Sequence, residues 1–145
     1  MPAPTEPPIG LVLAQTAKAV ERAFDDALSA AGSSRPNWLI LMALRTQQPR
    51  TQTDLAAVVG IKEATLSYHL GAMEADGLIG RSRDPGNRRV HQVTLTAAGE
   101  ALFRQLVEVA RAHDRRLRTG LSSTDVEQLR GILERLRGNV SADAR

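Results

Sequence analysis

Residues able to do chemistry fall in two stretches of this 145-residue chain. The first runs from Lys62 to Ala75 and carries Thr65, Ser67 and Tyr68 among the small residues Ala64, Gly71 and Ala75. The second runs from Arg81 to His91, where Arg81, Arg83, Arg88, Arg89 and His91 surround a single acid, Asp84. Hydroxyl and phenol groups both donate and accept hydrogen bonds, and a guanidinium is a planar fork that matches phosphate oxygens or a guanine edge. Neither stretch pairs a nucleophile with a base. The three histidines, His69, His91 and His113, stand too far apart in the chain to form a local metal pair. There is no cysteine, which excludes disulfides, thiolate metal sites and thiol redox chemistry. Gly60, Gly71, Gly77 and Gly80 are too scattered for a phosphate-binding loop, and no nucleophile elbow is present. Ser122-Ser-Thr-Asp125 reads as a helix cap. The chain is expected to be no enzyme and to need no cofactor and no metal.

The elements that must position those two stretches follow from periodicity and punctuation. Leu13, Ala17, Val20, Phe24, Leu28 and Ala31 recur at helical spacing over residues 9–31, and Gly32 ends that helix. Ser34 with Pro36 starts a second helix over 35–46. Thr51-Gln-Thr-Asp54 resembles a capping box and opens a short helix over 52–58. After the tight turn Val59-Gly60-Ile61 a fourth helix spans 62–75 and stops at Gly77. Residues 78–83 and 89–95 read as two strands joined by the turn Asp84-Pro-Gly-Asn87. Thr96 caps a long helix to about Thr119, and a last helix runs from the Ser122 cap to about Arg137, with Val126, Leu129, Leu133, Leu136 and Val140 at near-heptad spacing.

Three short helices and a hairpin in that order make a winged helix-turn-helix, whose third helix enters the major groove of DNA. At 100° per residue, Leu70 and Met73 lie within about 40° of Leu66, so the three share one face of the fourth helix. Ala64, Tyr68, Gly71 and Ala75 point the other way, with Thr65 and Ser67 on the flanks. A solvated face would carry Glu, Lys and Arg; this one is almost uncharged and small, which lets a helix approach a surface closely. The same feature also suits helix–helix packing. The hairpin arginines suit a minor groove, where the potential is negative. The DNA-contacting residues are expected to be Lys62, Ala64, Thr65, Ser67, Tyr68, Arg83, Arg88 and Arg89. Nineteen basic against sixteen acidic residues, with seventeen of the nineteen being Arg, permit an anionic partner without proving one.

These residues resemble the multiple-antibiotic-resistance regulator (MarR) family. The likeness runs through Asp54-Leu-Ala56, Gly60-Ile-Lys-Glu-Ala-Thr-Leu-Ser67, Met73-Glu-Ala-Asp-Gly-Leu-Ile79, Asp84-Pro-Gly-Asn-Arg-Arg89 and Leu95-Thr-Ala-Ala-Gly-Glu100. The resemblance implies a homodimer joined through its terminal helices. It implies a pseudo-palindromic operator in double-stranded DNA, a repressor role and release by a small aromatic effector. It also implies a ligand pocket bounded by the first two helices and the fifth, here Leu13, Ala17, Arg35, Trp38, Met42, Phe103 and His113. Three departures stand out: Lys62 replaces a capping Ser, Glu63 replaces Arg, and Asn87 replaces an Asp in the wing.

The expected fold is mainly α with a small β-hairpin wing, a winged helix-turn-helix plus a helical dimerisation lobe. Residues 9–34 and 96–140 are expected to form that lobe, 35–95 the DNA-binding lobe, and 1–8 a flexible arm. Phe24, Leu28, Leu102, Leu106, Leu117, Leu129, Leu133 and Leu136 are the expected dimer interface. No apolar run reaches the roughly 18 residues of a membrane span, so no membrane partner is expected and the cytoplasm is the expected location. A rival reading is a winged-helix protein-interaction module that has lost DNA binding.

Overall fold

The computed structural model describes residues 5–49 and 51–141, with the side chains at 84 and 87–91 outside the description. The described elements are α1 (Ile9–Ala30), α2 (Arg35–Thr46), α3 (Gln52–Val59), α4 (Glu63–Ala75), the strands β1 (Ile79–Asp84) and β2 (Asn87–Leu95), α5 (Ala97–Leu117) and α6 (Ser123–Ser141). This is the mainly helical winged helix-turn-helix that the sequence predicts. The widest difference is at the end of α6, which continues through Gly138 to Ser141 instead of stopping near Arg137.

Each boundary has a chemical cause. Ser34 Oγ accepts from the Asn37 amide at 3.3 Å at the start of α2, and Thr51 Oγ1 accepts from the Asp54 amide at 3.0 Å at the start of α3. Both satisfy amides that the first turn of a helix leaves without a partner. Gly60 follows α3 with φ +80°, a left-handed conformation that costs glycine nothing. Thr96 performs two tasks. Its Oγ1 accepts from the Gly99 amide at 3.1 Å and donates to the Gly77 carbonyl at 2.6 Å. The start of α5 is thereby tied to the end of α4.

Residues up to Arg111 form one compact unit and those from Ala112 a second. In the first, the core is aliphatic. Ile40, Leu41 and Leu44 of α2, Leu55 of α3, Leu66, Leu70 and Met73 of α4, and Ile79 of β1 are buried together with Leu28 and Leu106. The two strands pair antiparallel from Ile79↔Leu95 to Arg83↔His91, with a register shift between Arg83 and Asp84. In the second unit, α6 opens on a reciprocal cap. The Ser122 amide donates to Asp125 Oδ2 at 2.8 Å, and the Asp125 amide donates to Ser122 Oγ at 3.0 Å. The bond from the Ser122 amide, followed by a smaller contribution from the Ser122 hydroxyl, holds the Asp125 carboxyl below its ordinary range. No residue of α6 is buried. Among the described residues, no helix is long and apolar enough to cross a membrane.

Leu28 and Leu106 correct the expected interface. Both are fully enclosed by their own chain, so neither has surface left for a partner. An apolar stripe reveals that a face is covered, and here both leucines belong to the chain's own buried cluster.

Candidate nucleic-acid interface

The inner face of α4 is fixed by Leu66, Leu70 and Met73, all at 1% exposure or less. That anchoring turns Ala64, Thr65, Ser67 and Tyr68 outward, and all four are exposed. Tyr68 is 77% exposed, far more than a large aromatic ring normally tolerates without a partner. Its only ring neighbour among the described contacts is His69, edge-on at 5.5 Å. Gly71 lies on the same side but is half-covered, because the Arg81 guanidinium sits 3.7 Å from where a Cβ would stand.

At its N-terminus α4 is capped by Lys62, whose side chain makes no capping bond. The first-turn amides of a helix are partial positive charges without internal partners. Combined with the exposed Lys62 ammonium, they favour an anion such as a phosphate at this end.

The hairpin divides its basic residues by strand parity. Ile79, Arg81 and Arg83 share a face of β1 because side chains alternate. Along that face the burial falls from Ile79 at 2% to a half-buried Arg81 and an exposed Arg83. Arg81 is pulled onto α4, with Nε 3.4 Å from Glu74 Oε2. It therefore braces the hairpin against the helix, whereas Arg83 is presented to solvent. The side chains of Arg88 and Arg89, the other expected wing contacts, lie outside the described residues.

The expected ligand pocket is only partly brought together. Trp38 stacks on Phe103 with centroids 5.9 Å apart and planes at 11°. Phe24 meets Trp38 edge-on at 6.3 Å. Phe24, expected at the dimer interface, thus belongs to this aromatic cluster. Met42 is half-buried, while Leu13 and Ala17 are exposed. Arg35 is engaged already: Nε donates to Asp25 Oδ1 at 2.9 Å and Nη2 to Asp25 Oδ2 at 2.6 Å, with Glu21 at 3.4 Å from Nη1. The hydrogen bond to Asp25 is the main reason the guanidinium pKa is raised. His113 falls in the second unit.

Sequence reasoning missed three pairings: Arg35 with Asp25 and Glu21, Arg81 with Glu74, and Arg45 Nε with Glu100 Oε2 at 3.4 Å. Each joins two elements, so no local spacing announces it. Among the described residues no cluster of His, Asp and Glu is arranged to hold a metal ion.

A family model described as the MarR family matches residues 34–91, which is α2 through most of the hairpin. A probable transcriptional regulator from Pseudomonas aeruginosa superposes with a TM-score of 0.75 at 30% identity, covering 88% of this chain and 96% of that one. BpsR of Bordetella bronchiseptica, whose DNA binding is regulated by 6-hydroxynicotinic acid, gives 0.78 at 23% identity over 94% and 98% of the two chains. A mutant of MarR from E. coli gives 0.76 at 20% identity over 90% and 97%. The last two likenesses concern the fold alone.

Proposed function

We propose that this chain, which belongs to the MarR family of DNA-binding transcription regulators, acts as a repressor that binds a pseudo-palindromic operator as a homodimer. The observation that carries the reading is the outward face of α4: an uncharged strip of Ala64, Thr65 and Ser67 around a Tyr68 that is 77% exposed. Small side chains let the helix enter a major groove, and the hydroxyls and the phenol then reach base edges and phosphates. Lys62 lies beside the helix N-terminus for a phosphate. Arg83, with Arg88 and Arg89, supplies the wing.

Dimerisation is assigned to residues 9–34 and 96–140, and DNA binding to 35–95. The support is exposed apolar surface at both ends of the chain. Ile9 is 67% exposed and Leu11 49%, and in α6 Leu129 is 47% and Ile132 51% exposed. A helix such as α6, with apolar residues at near-heptad spacing and none buried, is complete only when covered. Leu117, Leu133 and Leu136 complete that surface. Two-fold symmetry then sets two copies of α4 about 34 Å apart, one turn of B-DNA.

The small aromatic effector is assigned to the cluster around Trp38, where the stacked ring of Phe103 leaves room only if the rings part. An effector acts there by binding one separation of the rings better than the other.

The test begins by selecting the operator in vitro from random duplex DNA and following its binding by fluorescence anisotropy. Wild type should bind in a salt-dependent manner and Ala64→Glu should lose the operator, because a carboxylate is forced against phosphates. Normal operator binding by Ala64→Glu sinks the assignment of this face. Failure to recover any duplex would favour the protein-interaction reading.

A further inference from the structure

We propose that Glu74 is a positioning residue that sets DNA specificity through Arg81: the pair fixes the root of the wing against α4 and withholds one guanidinium from the phosphates of unrelated duplex. The inference rests on the DNA-binding reading and gives a role to two residues that the reading does not use. Local geometry brings them together. Ser67, Gly71 and Glu74 stand at i, i+4 and i+7 of α4 and so form one row along the helix. Strand alternation puts Arg81 on the same face of β1 as the buried Ile79, which is the face toward α4. The Arg81 guanidinium lies over Gly71, with Nη2 3.7 Å from where a Cβ would stand, and Nε is 3.4 Å from Glu74 Oε2. Gly71 supplies the room: an alanine Cβ would just touch the guanidinium, and a longer side chain would displace it.

The charges at this edge are not equivalent. Lys62 before α4 and Arg83 in β1 are exposed and join no ion pair among the described residues. Arg81 is mostly covered, and Glu74 neutralises it. A partly exposed pair at this distance contributes little to stability, so the fold does not depend on it. Its effect is on where a positive charge sits and how freely that charge moves.

Two kinds of binding respond differently to that charge. Affinity for unrelated duplex is phosphate electrostatics and grows with every cation free to reach a phosphate. Discrimination between sequences comes from base edges and groove shape, which require helix and wing to be held in register. Breaking the pair acts on both at once. It releases a long, flexible guanidinium that can meet a phosphate on any sequence, and it loosens the wing root beside Gly71. Both effects lower the ratio of operator affinity to unrelated-duplex affinity.

The experiment uses the full chain, the operator selected in vitro and an unrelated duplex of equal length, with binding followed by anisotropy across a salt series. Glu74→Gln keeps the size of the side chain and removes its charge. It should bind the unrelated duplex at least about threefold more tightly, steepen its salt slope by about 0.9, the share of one added phosphate contact, and bind the operator no better than wild type. Arg81→Ala should leave affinity for the unrelated duplex within about twofold of wild type, because its guanidinium was already withheld. In the Arg81→Ala background Glu74→Gln should no longer change the slope, which separates the pair from the mere loss of a negative charge. A slope unchanged by Glu74→Gln, the same steepening with and without Arg81, or an unchanged operator-to-unrelated ratio would each overturn the proposal. So would a loss of unrelated-duplex affinity of about tenfold in Arg81→Ala, which would make Arg81 a direct contact. A wild type that binds neither duplex strikes the DNA-binding reading and this inference with it, whereas a wild type that binds and discriminates while the variants match it strikes the inference alone.

Discussion

Replacing Gly99 with Ala sets two physical effects of opposite sign against each other. Gly99 lies in the first turn of α5, and by helix propensity alone Ala should stabilise it by about 1 kcal/mol. The surroundings say otherwise. A Cβ at Gly99 would lie 2.0 Å from the Leu78 carbonyl oxygen, 3.1 Å from its carbon and 3.2 Å from Leu95 Cδ2. The first contact requires an opening of about 1 Å before it becomes tolerable. The obstacle is backbone and is held from both sides: Leu78 O accepts from the Thr96 amide at 3.1 Å, and Leu78 N donates to Met73 O at 2.9 Å. Overpacking of this kind costs about 1–3 kcal/mol or more, and a clash with fixed backbone belongs at the upper end. The net expectation is a loss of about 2 kcal/mol. With a urea slope of about 1–3 kcal/mol per molar, the midpoint falls by about 1 M. The measurement is urea unfolding at one fixed protomer concentration, since association stabilises the folded state by mass action. Gly131→Ala and Gly138→Ala in α6 are the controls. A Cβ at either meets nothing within 4 Å, so each should raise stability by up to about 1 kcal/mol. A Gly99→Ala midpoint at or above wild type would refute the reasoning and show that α5 can move away from β1 freely.

Three further outcomes are expected. Changing Arg88 and Arg89 together to Ala should lower the slope of log K against log salt by about 1.8, because each phosphate contact contributes about 0.9; an unchanged slope would remove the wing from the interface. The Asp125 carboxyl is held below its ordinary range by the Ser122 bonds, so its contribution is present above the ordinary carboxylate range and is lost as pH falls through the lowered value. Far-UV circular dichroism should therefore show α6 loosening in acid, and Asp125→Asn should remove that part of the acid dependence. Leu133→Arg, on the half-buried side of α6, should give a monomer or an unfolded chain by sedimentation, and an undisturbed dimer would exclude this helix from the contact.

The order and kind of the elements were legible because each boundary carries its own chemical mark. Ser34, Thr51 and Ser122 are side chains that cap, Gly60 and Gly77 are residues that leave a helix at little cost, and Thr96 marks the start of α5. What pairs across elements was not legible. Arg81 looked like one of several wing arginines. Its strand parity with Ile79 puts it on α4 instead, beside Gly71 and Glu74. Arg35 looked available to a ligand until the crossing of α1 and α2 brought Asp25 to 2.6 Å. Leu28 and Leu106 lie on stripes that any covering surface would explain, and spacing cannot say whether that surface is the chain itself or a second copy. The Trp38 cluster joins Phe24 and Phe103 from distant parts of the sequence.

The helix assigned here to DNA, α4, is poorly supported by its own sequence, and this divides its residues into two groups that mutation should separate. Thr65, Ser67, Tyr68, His69 and Gly71 are all weak helix formers, and Lys62 supplies no cap. The helix therefore persists through its packed side. Leu66 and Leu70 are fully buried and Met73 nearly so, while Arg81 leans on the opposite flank. Truncating Leu70 to Ala should cost about 2–5 kcal/mol, the range for a buried leucine that leaves a cavity. Tyr68→Ala removes a ring that is 77% exposed and should change stability by no more than about 0.5 kcal/mol. Operator binding at a temperature where both variants are folded should rank them the other way. Leu70→Ala should bind close to wild type once its folded fraction is allowed for. Tyr68→Ala should lose specific affinity and retain most of its affinity for unrelated duplex, because phosphate contacts from Lys62 and the wing are left in place. If Tyr68→Ala instead destabilises the fold by as much as Leu70→Ala, the ring is covered in the functional assembly by protein, and the outward face of α4 is a packing surface.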